Sequence, residues 1–136
     1  MINPVNCVGV MGKGLALQFK RSFPDNFRAY KQACSMMEVR LGRMYMFATG
    51  LPNPRYIINF PTKRHWRDKS WLNDIAAGLK DLASEVRRLD IESIAVPPLG
   101  CGLGGLEWPP VRRLIESAFQ YLPDVRVLLY EPQEKL

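Results

Sequence analysis

The sequence predicts a three-layer α/β/α sandwich built on a mixed sheet, and three observations carry that expectation. Short apolar runs alternate with longer stretches whose apolar residues recur at helical spacing, which is how a helix-covered sheet reads. Two of the short runs, residues 44–49 and 56–60, are joined only by a turn, so they read as an antiparallel pair. Seven of the ten glycines fall in two turns, 9–14 and 100–105, each between an apolar run and a helix. Such turns leave the carboxyl ends of strands, where open α/β sheets bind their ligands.

In chain order, residues 1–10 hold a short apolar strand that passes into Gly9-Val10-Met11-Gly12-Lys13-Gly14. Leu15, Ala16, Phe19 and Phe23 mark a helix, which Pro24 ends. Asp25 is the expected cap of a second helix reaching about Ala33, with Phe27, Tyr30 and Cys34 on one side. After the antiparallel pair comes the basic loop Lys63-Arg64-His65-Trp66-Arg67-Asp68-Lys69, with Ser70 as the expected cap of the next helix. There Ile75, Leu79, Leu82, Val86 and Leu89 trace the clearest amphipathic stripe in the chain. Residues 94–96 read as a buried strand leading into the second glycine turn. Pro109 and Pro110 suit the first turn of a last helix, whose apolar face is Val111, Leu114, Ile115, Ala118, Phe119 and Leu122. Residues 125–130 read as a final buried strand. No linker, repeat or low-complexity segment interrupts the pattern, so residues 1–136 are expected to form a single domain.

Composition narrows the function classes. With 136 residues, 47% hydrophobic and 24% charged, the chain has the make-up of a soluble domain that buries one core without disulfides. No apolar run has membrane-spanning length, and the start lacks a signal-peptide pattern. Three widely spaced cysteines, Cys7, Cys34 and Cys101, add to the expectation of a reduced, cytoplasmic setting. With the single histidine His65 they give no metal-ligand spacing, so no metal is expected. The net charge of +6 points to a polyanionic partner, and the cations gather in the loop 63–69.

A glycine-rich turn at a helix start gathers backbone N–H donors where the helix dipole favours anions. Two such turns facing one another suit a diphosphate. Neither is a P-loop, since Gly9 to Lys13 lacks its Gly-Lys-Ser/Thr ending, and no ribose-binding acid follows Gly100, Gly102 and Gly105 at dinucleotide spacing. Lys13 is either a phosphate contact or a solvated loop lysine. The residues alone leave the identity of the ligand open.

The segment Val5-Asn6-Cys7-Val8-Gly9-Val10-Met11-Gly12-Lys13-Gly14-Leu15-Ala16 resembles the first ligand loop of macrodomains, an ADP-ribose-binding fold. Pro98-Leu99-Gly100-Cys101-Gly102-Leu103-Gly104-Gly105-Leu106-Glu107-Trp108 resembles their second, diphosphate-embracing loop. Within the family, Asn59-Phe60-Pro61-Thr62-Lys63-Arg64-His65-Trp66-Arg67 is similar to the DarG type. These are DNA ADP-ribosyl glycohydrolases, antitoxins that reverse the thymidine modification made by DarT toxins.

The resemblance implies substrate contacts from Asn6, Cys7, Val8, Gly9, Met11, Gly12, Lys13, Gly14 and Leu15 in the first loop, and from Thr62. It implies the same for Gly100, Cys101, Gly102, Leu103, Gly104 and Gly105, with Tyr130 bordering adenine. It also implies removal of ADP-ribose from thymidine in single-stranded DNA, a DarT-like toxin as functional partner, and no cofactor. The alternatives are a non-catalytic ADP-ribose or nucleotide reader, removal of ADP-ribose from protein carboxylates, and a general single-strand-binding protein.

By the same resemblance Lys63 is the catalytic residue. When a ribose ring opens its anomeric carbon becomes an aldehyde, which a lysine amine converts to a Schiff base. Alternatively the lysine acts as a cation on the departing group. Arg64, His65, Trp66 and Arg67 are the expected DNA contacts, with Trp66 able to stack on a base or pack on the long helix. Trp71 and Trp108 are expected to pack.

Two departures from the family qualify this. Members that cleave carboxylate esters carry an aspartate where this chain has Gly104, which leaves His65 and Glu107 as the nearest proton-transfer groups in sequence. The family also has a further strand, and an acidic residue toward adenine, ahead of the position of Asn3. The expected fold is therefore a macrodomain sandwich lacking the usual N-terminal strand.

Overall fold

The computed structural model describes residues 1–133. Five strands and four helices follow in the order β1 Ile2–Val5, α1 Gly14–Ser22, α2 Pro24–Ser35, β2 Tyr45–Ala48, β3 Tyr56–Pro61, α3 Leu72–Arg88, β4 Ser93–Val96, α4 Trp108–Phe119 and β5 Arg126–Leu129. The strands form two hydrogen-bonded groups, β1-β3-β2 and β4-β5, with β4 lying alongside β1. β1 runs parallel to β3, with Ile2 opposite Ile58 and Val5 opposite Pro61. β2 runs antiparallel to β3, as the short connection between them predicts, and β4 is parallel to β5.

Side-chain alternation along the strands separates two apolar layers. Ile58 and Phe60 of β3 join Ile75, Leu79, Leu82 and Val86 of α3 and Val111, Ile115 and Phe119 of α4. On the opposite face Val5 meets Tyr30 and Ala33 of α2, with Met11 and Val39. The helical stripe of α3 is thus buried as its period demands. Gly78 shows how tightly α3 crosses the sheet: a Cβ there would lie 2.5 Å from Phe60 Cζ. Among the described residues no helix is long and apolar enough to cross a membrane.

The second face holds a polar hub that periodicity does not reveal. Asn3, Asn26 and Asn59 are completely buried. Asn59 Oδ1 accepts from Asn3 Nδ2 and Asn26 Nδ2, each at 3.2 Å. Its Nδ2 donates to Asn26 Oδ1 at 2.8 Å and to the Tyr45 carbonyl at 3.2 Å. One amide therefore ties β1, α2, β2 and β3 together, in an interior where each unpaired polar group would cost about 1–3 kcal/mol.

Four expectations are corrected. Asp25 does not cap α2: Phe23 occupies the cap position, Pro24 opens the helix, and Asp25 pairs with Arg28 instead. Ser70 does not cap α3, which begins after Trp71; it is drawn beneath the second glycine turn. Trp71 does not pack, being 72% exposed. The last strand is buried on one face only, since Val127 and Leu129 pack on the core while Leu128 is exposed.

Candidate active site

Three loops leave the carboxyl ends of β1, β3 and β4, and hydrogen bonds stitch them together. The Thr62 N–H donates to the Val5 carbonyl and the Cys7 N–H to the Arg64 carbonyl, both at 2.9 Å. These join the first glycine turn to the lysine loop. The Ser70 N–H donates to the Gly104 carbonyl at 2.9 Å and joins the lysine loop to the second glycine turn. The loop carrying Lys63 is therefore anchored at one end to each turn.

The first turn is shaped from within by Asn6. Its Nδ2 donates to the Val10 carbonyl at 2.9 Å, and its Oδ1 accepts from the Val8 and Val10 N–H groups. The Tyr30 hydroxyl, reaching from α2, lies 2.8 Å from the Asn6 carbonyl oxygen and 2.7 Å from its Oδ1. Burial holds that phenol well above its ordinary pKa, so it stays a donor. Tyr30 is a positioning residue that sequence reasoning placed only on a helix face. Its conspicuous signal is a polar tip on a side chain that the helical stripe buries.

Gly12, Lys13, Gly14, Val8 and Leu15 are exposed along this turn. The N–H groups of Gly12 and Lys13 meet no acceptor among the described residues. Those of Gly102, Leu103 and Gly104 in the second turn are equally free. Two rows of backbone donors are thereby left at the carboxyl ends of the neighbouring strands β1 and β4, and rows of this kind receive anions. Met11 is an exception to the first-loop expectation: it is 1% exposed, packed in the core under Asn3 Nδ2. Asn6 and Thr62 are also buried and serve the framework of the cleft rather than its surface. Tyr130 is exposed, and its N–H donates to the Val96 carbonyl, which sets it at the base of the second turn.

Gly104 is a glycine because nothing larger fits. A Cβ there would lie 2.4 Å from Ser70 Oγ, 2.6 Å from the Gly100 carbonyl oxygen and 3.0 Å from Ser70 Cβ. Ser70 is 5% exposed, and its hydroxyl has no hydrogen-bond partner among the described residues. The space a side chain at position 104 would need is thus filled from the lysine loop.

In the lysine loop Lys63 is half-buried, and its Nζ donates to the Trp66 carbonyl at 3.2 Å. The His65 N–H donates to Asp68 Oδ2 and the Asp68 N–H to the His65 carbonyl, which closes a tight turn. His65 Nδ1 accepts from the Arg67 N–H at 3.1 Å, so the neutral ring carries its proton on Nε2. The Trp66 ring lies 5.1 Å from the His65 ring, with the Arg67 guanidinium 4.6 Å over its face. Glu107 is exposed at the cap position of α4 and makes no side-chain capping bond. Burial raises the thiols of Cys7, Cys34 and Cys101, Cys7 to about 11, which keeps them uncharged at neutral pH. Among the described residues no group of histidines, cysteines and carboxylates could hold a metal.

A hollow of about 370 Å³ opens between Met1, Tyr56, Ser93 and Leu128, at the amino ends of the strands. The free backbone donors and the lysine are at the other end, which is where a parallel arrangement of strands directs its ligands.

Residues 2–115 match the Macro domain family. The chain belongs to the macrodomain family. The DNA ADP-ribosyl glycohydrolase of Mycobacterium tuberculosis (strain ATCC 25618 / H37Rv) is 56% identical over 133 residues, 97% of this chain and 38% of that protein. The solved macrodomain of Mycobacterium tuberculosis DarG superposes with a TM-score of 0.96, covering 97% of this chain and 88% of that one. Thermosipho africanus DarTG in complex with ADP-ribose has a TM-score of 0.91 and 38% identity, covering 99% of this chain and 38% of that one. The chain thus spans well under half the length of the curated relative it matches. As a macrodomain of DarG type it has the mixed-sheet sandwich expected from its sequence.

Proposed function

We propose that this macrodomain is an ADP-ribosyl glycohydrolase that removes ADP-ribose from thymidine in single-stranded DNA, with Lys63 as its catalytic residue. The observation that carries the reading is the double anchoring of the lysine loop. Bonds from Cys7 to Arg64 and from Ser70 to Gly104 tie the two ends of the Lys63 loop to the two turns that carry free backbone donors. A diphosphate gripped by those rows leaves its distal ribose within the lysine's reach. The 56% identity to a protein named DNA ADP-ribosyl glycohydrolase supports the same assignment.

In this scheme the Lys63 amine bonds to the anomeric carbon as the carbon–nitrogen bond to thymine breaks. Thymine departs with the bonding pair as an imide anion and takes up the proton the amine loses. Water then adds to the anomeric carbon, expels the amine and frees ADP-ribose. Thymine is a tolerable leaving group as its imide, so the chemistry needs no carboxylic acid at position 104. Arg64, His65, Trp66 and Arg67 hold the strand. The partner is a DarT-like toxin, and the setting is cytoplasmic, where the reaction repairs modified DNA.

A second reading, a non-catalytic ADP-ribose reader, is favoured by one feature: the Lys63 ammonium is bound to the Trp66 carbonyl of its own loop. Incubation with an oligonucleotide bearing ADP-ribosylated thymidine, followed by mass measurement, separates the two. The wild type releases ADP-ribose, and Lys63→Ala lowers the rate by about a hundredfold or more while still binding ADP-ribose. Failure of the wild type to release ADP-ribose while it still binds the nucleotide establishes the reader instead, and equal release by both proteins removes Lys63 from the catalytic role.

A further inference from the structure

We propose that Trp71 is the stacking platform for a nucleobase flanking the modified thymidine. The proposal rests on the single-stranded DNA reading above and names a contact for that same site. Sequence reasoning chose Trp66 for this task and set Trp71 aside as a packing residue. The structure reverses their suitability. Trp66 is 45% exposed, and its ring is already engaged by the Arg67 guanidinium at 4.6 Å and the His65 ring at 5.1 Å. Trp71 is 72% exposed and has no aromatic or cationic partner among the described residues.

Its place in the fold puts this open ring on the rim of the cleft. Ser70 and Gly104 are joined backbone to backbone, so Trp71 and Leu103, their chain neighbours, emerge on either side of one hydrogen bond. Leu103 is 69% exposed. Trp71 is eight residues along the loop from Lys63, at most about 29 Å, and five from Trp66, at most about 18 Å. Two large apolar side chains are thus exposed where the lysine loop meets the second glycine turn.

The charge around the patch selects the occupant. Residues 63–71 carry Lys63, Arg64, Arg67 and Lys69 against a single carboxylate, Asp68. That carboxylate is already held by the His65 N–H. Cations that track a phosphate backbone, interleaved with open aromatic faces, are how single-stranded nucleic acid is gripped without base-specific hydrogen bonds. The strand would run along the seam between the lysine loop and the second glycine turn, with its modified base at Lys63.

The test compares two substrates: an ADP-ribosylated thymidine nucleoside, which has no flanking base, and an ADP-ribosylated oligonucleotide. Trp71→Ala should raise KM for the oligonucleotide roughly 5- to 150-fold, the range for one lost base stack, with kcat held. The ratio of oligonucleotide to nucleoside kcat/KM should fall by the same factor, and Trp71→Phe should retain most of it. Independently, an unmodified single-stranded oligonucleotide should quench the indole emission of Trp66→Phe, in which Trp71 and Trp108 are the remaining indoles, but not that of the double variant Trp66→Phe/Trp71→Phe. An unchanged oligonucleotide KM overturns the proposal, as does an equal loss on both substrates. Quenching that survives in the double variant overturns it too, and so does the absence of any quenching in Trp66→Phe. If the wild type cleaves neither substrate, the glycohydrolase reading falls, and the emission titration still decides the platform.

Discussion

Replacing Gly104 with alanine isolates the contact that sets the height of the second glycine turn over the lysine loop. The new methyl group would begin 2.4 Å from Ser70 Oγ, 2.6 Å from the Gly100 carbonyl oxygen and 3.0 Å from Ser70 Cβ. Rotating the Ser70 hydroxyl away relieves only the first of these. The Gly100 carbonyl belongs to the same turn and already accepts the Leu106 N–H at 2.9 Å, so it cannot move without breaking that turn. Overpacking of this kind costs about 1–3 kcal/mol. If the turn shifts to relieve it, the cost appears in ligand binding as a roughly 5- to 150-fold weaker affinity for ADP-ribose. Adding Ser70→Gly removes two of the three close contacts and leaves the one to Gly100, so the double variant should recover part of the affinity and not all. Calorimetric titration with ADP-ribose, alongside thermal melts of the four proteins, makes the measurement. Unaltered affinity in Gly104→Ala, or a double variant no better than the single one, would refute the packing argument.

Other consequences follow from the same geometry. Ser70→Ala removes a buried hydroxyl that has no partner among the described residues and should stabilise the fold by up to about 1 kcal/mol, read as a higher denaturation midpoint. Asn59→Ala strips the partner from both Asn3 Nδ2 and Asn26 Nδ2 and opens a cavity. A loss of about 3 kcal/mol or more is expected from chemical denaturation, and a loss below 1 kcal/mol would show the hub to be dispensable. The Cys7 thiol gives a pH dependence. It ionises near 9.0 in the unfolded chain and near 11 in the fold, chiefly through burial. Below pH 9 both states are protonated and the thiol adds no slope. Between about 9 and 11 the unfolded chain loses the proton that the fold retains, so stability falls as pH rises. Urea midpoints across that window should fall less steeply in Cys7→Ala than in the wild type.

The sequence by itself determined the layers, the antiparallel pair β2–β3, the buried stripe of α3 and the two glycine turns. These are local matters: apolar period reports which side of an element faces the core, and glycine clusters report where the backbone must turn. The resemblance in residues 59–67 likewise singled out Lys63 before any fold was known. Only the tertiary structure decided which polar groups meet. Asn59 finds Asn3 across 56 residues of sequence and Asn26 across 33, and no periodicity encodes such partners. Ser70 has the side chain of a helix cap, yet packing against Gly104 claims it, because the steric fit of two distant loops outweighs a local capping preference. Met11 and Trp71 exchange the places their surroundings in the sequence suggest, one buried and the other open. Hydropathy ranks a side chain's cost in water, whereas its exposure depends on which other segments arrive to cover it.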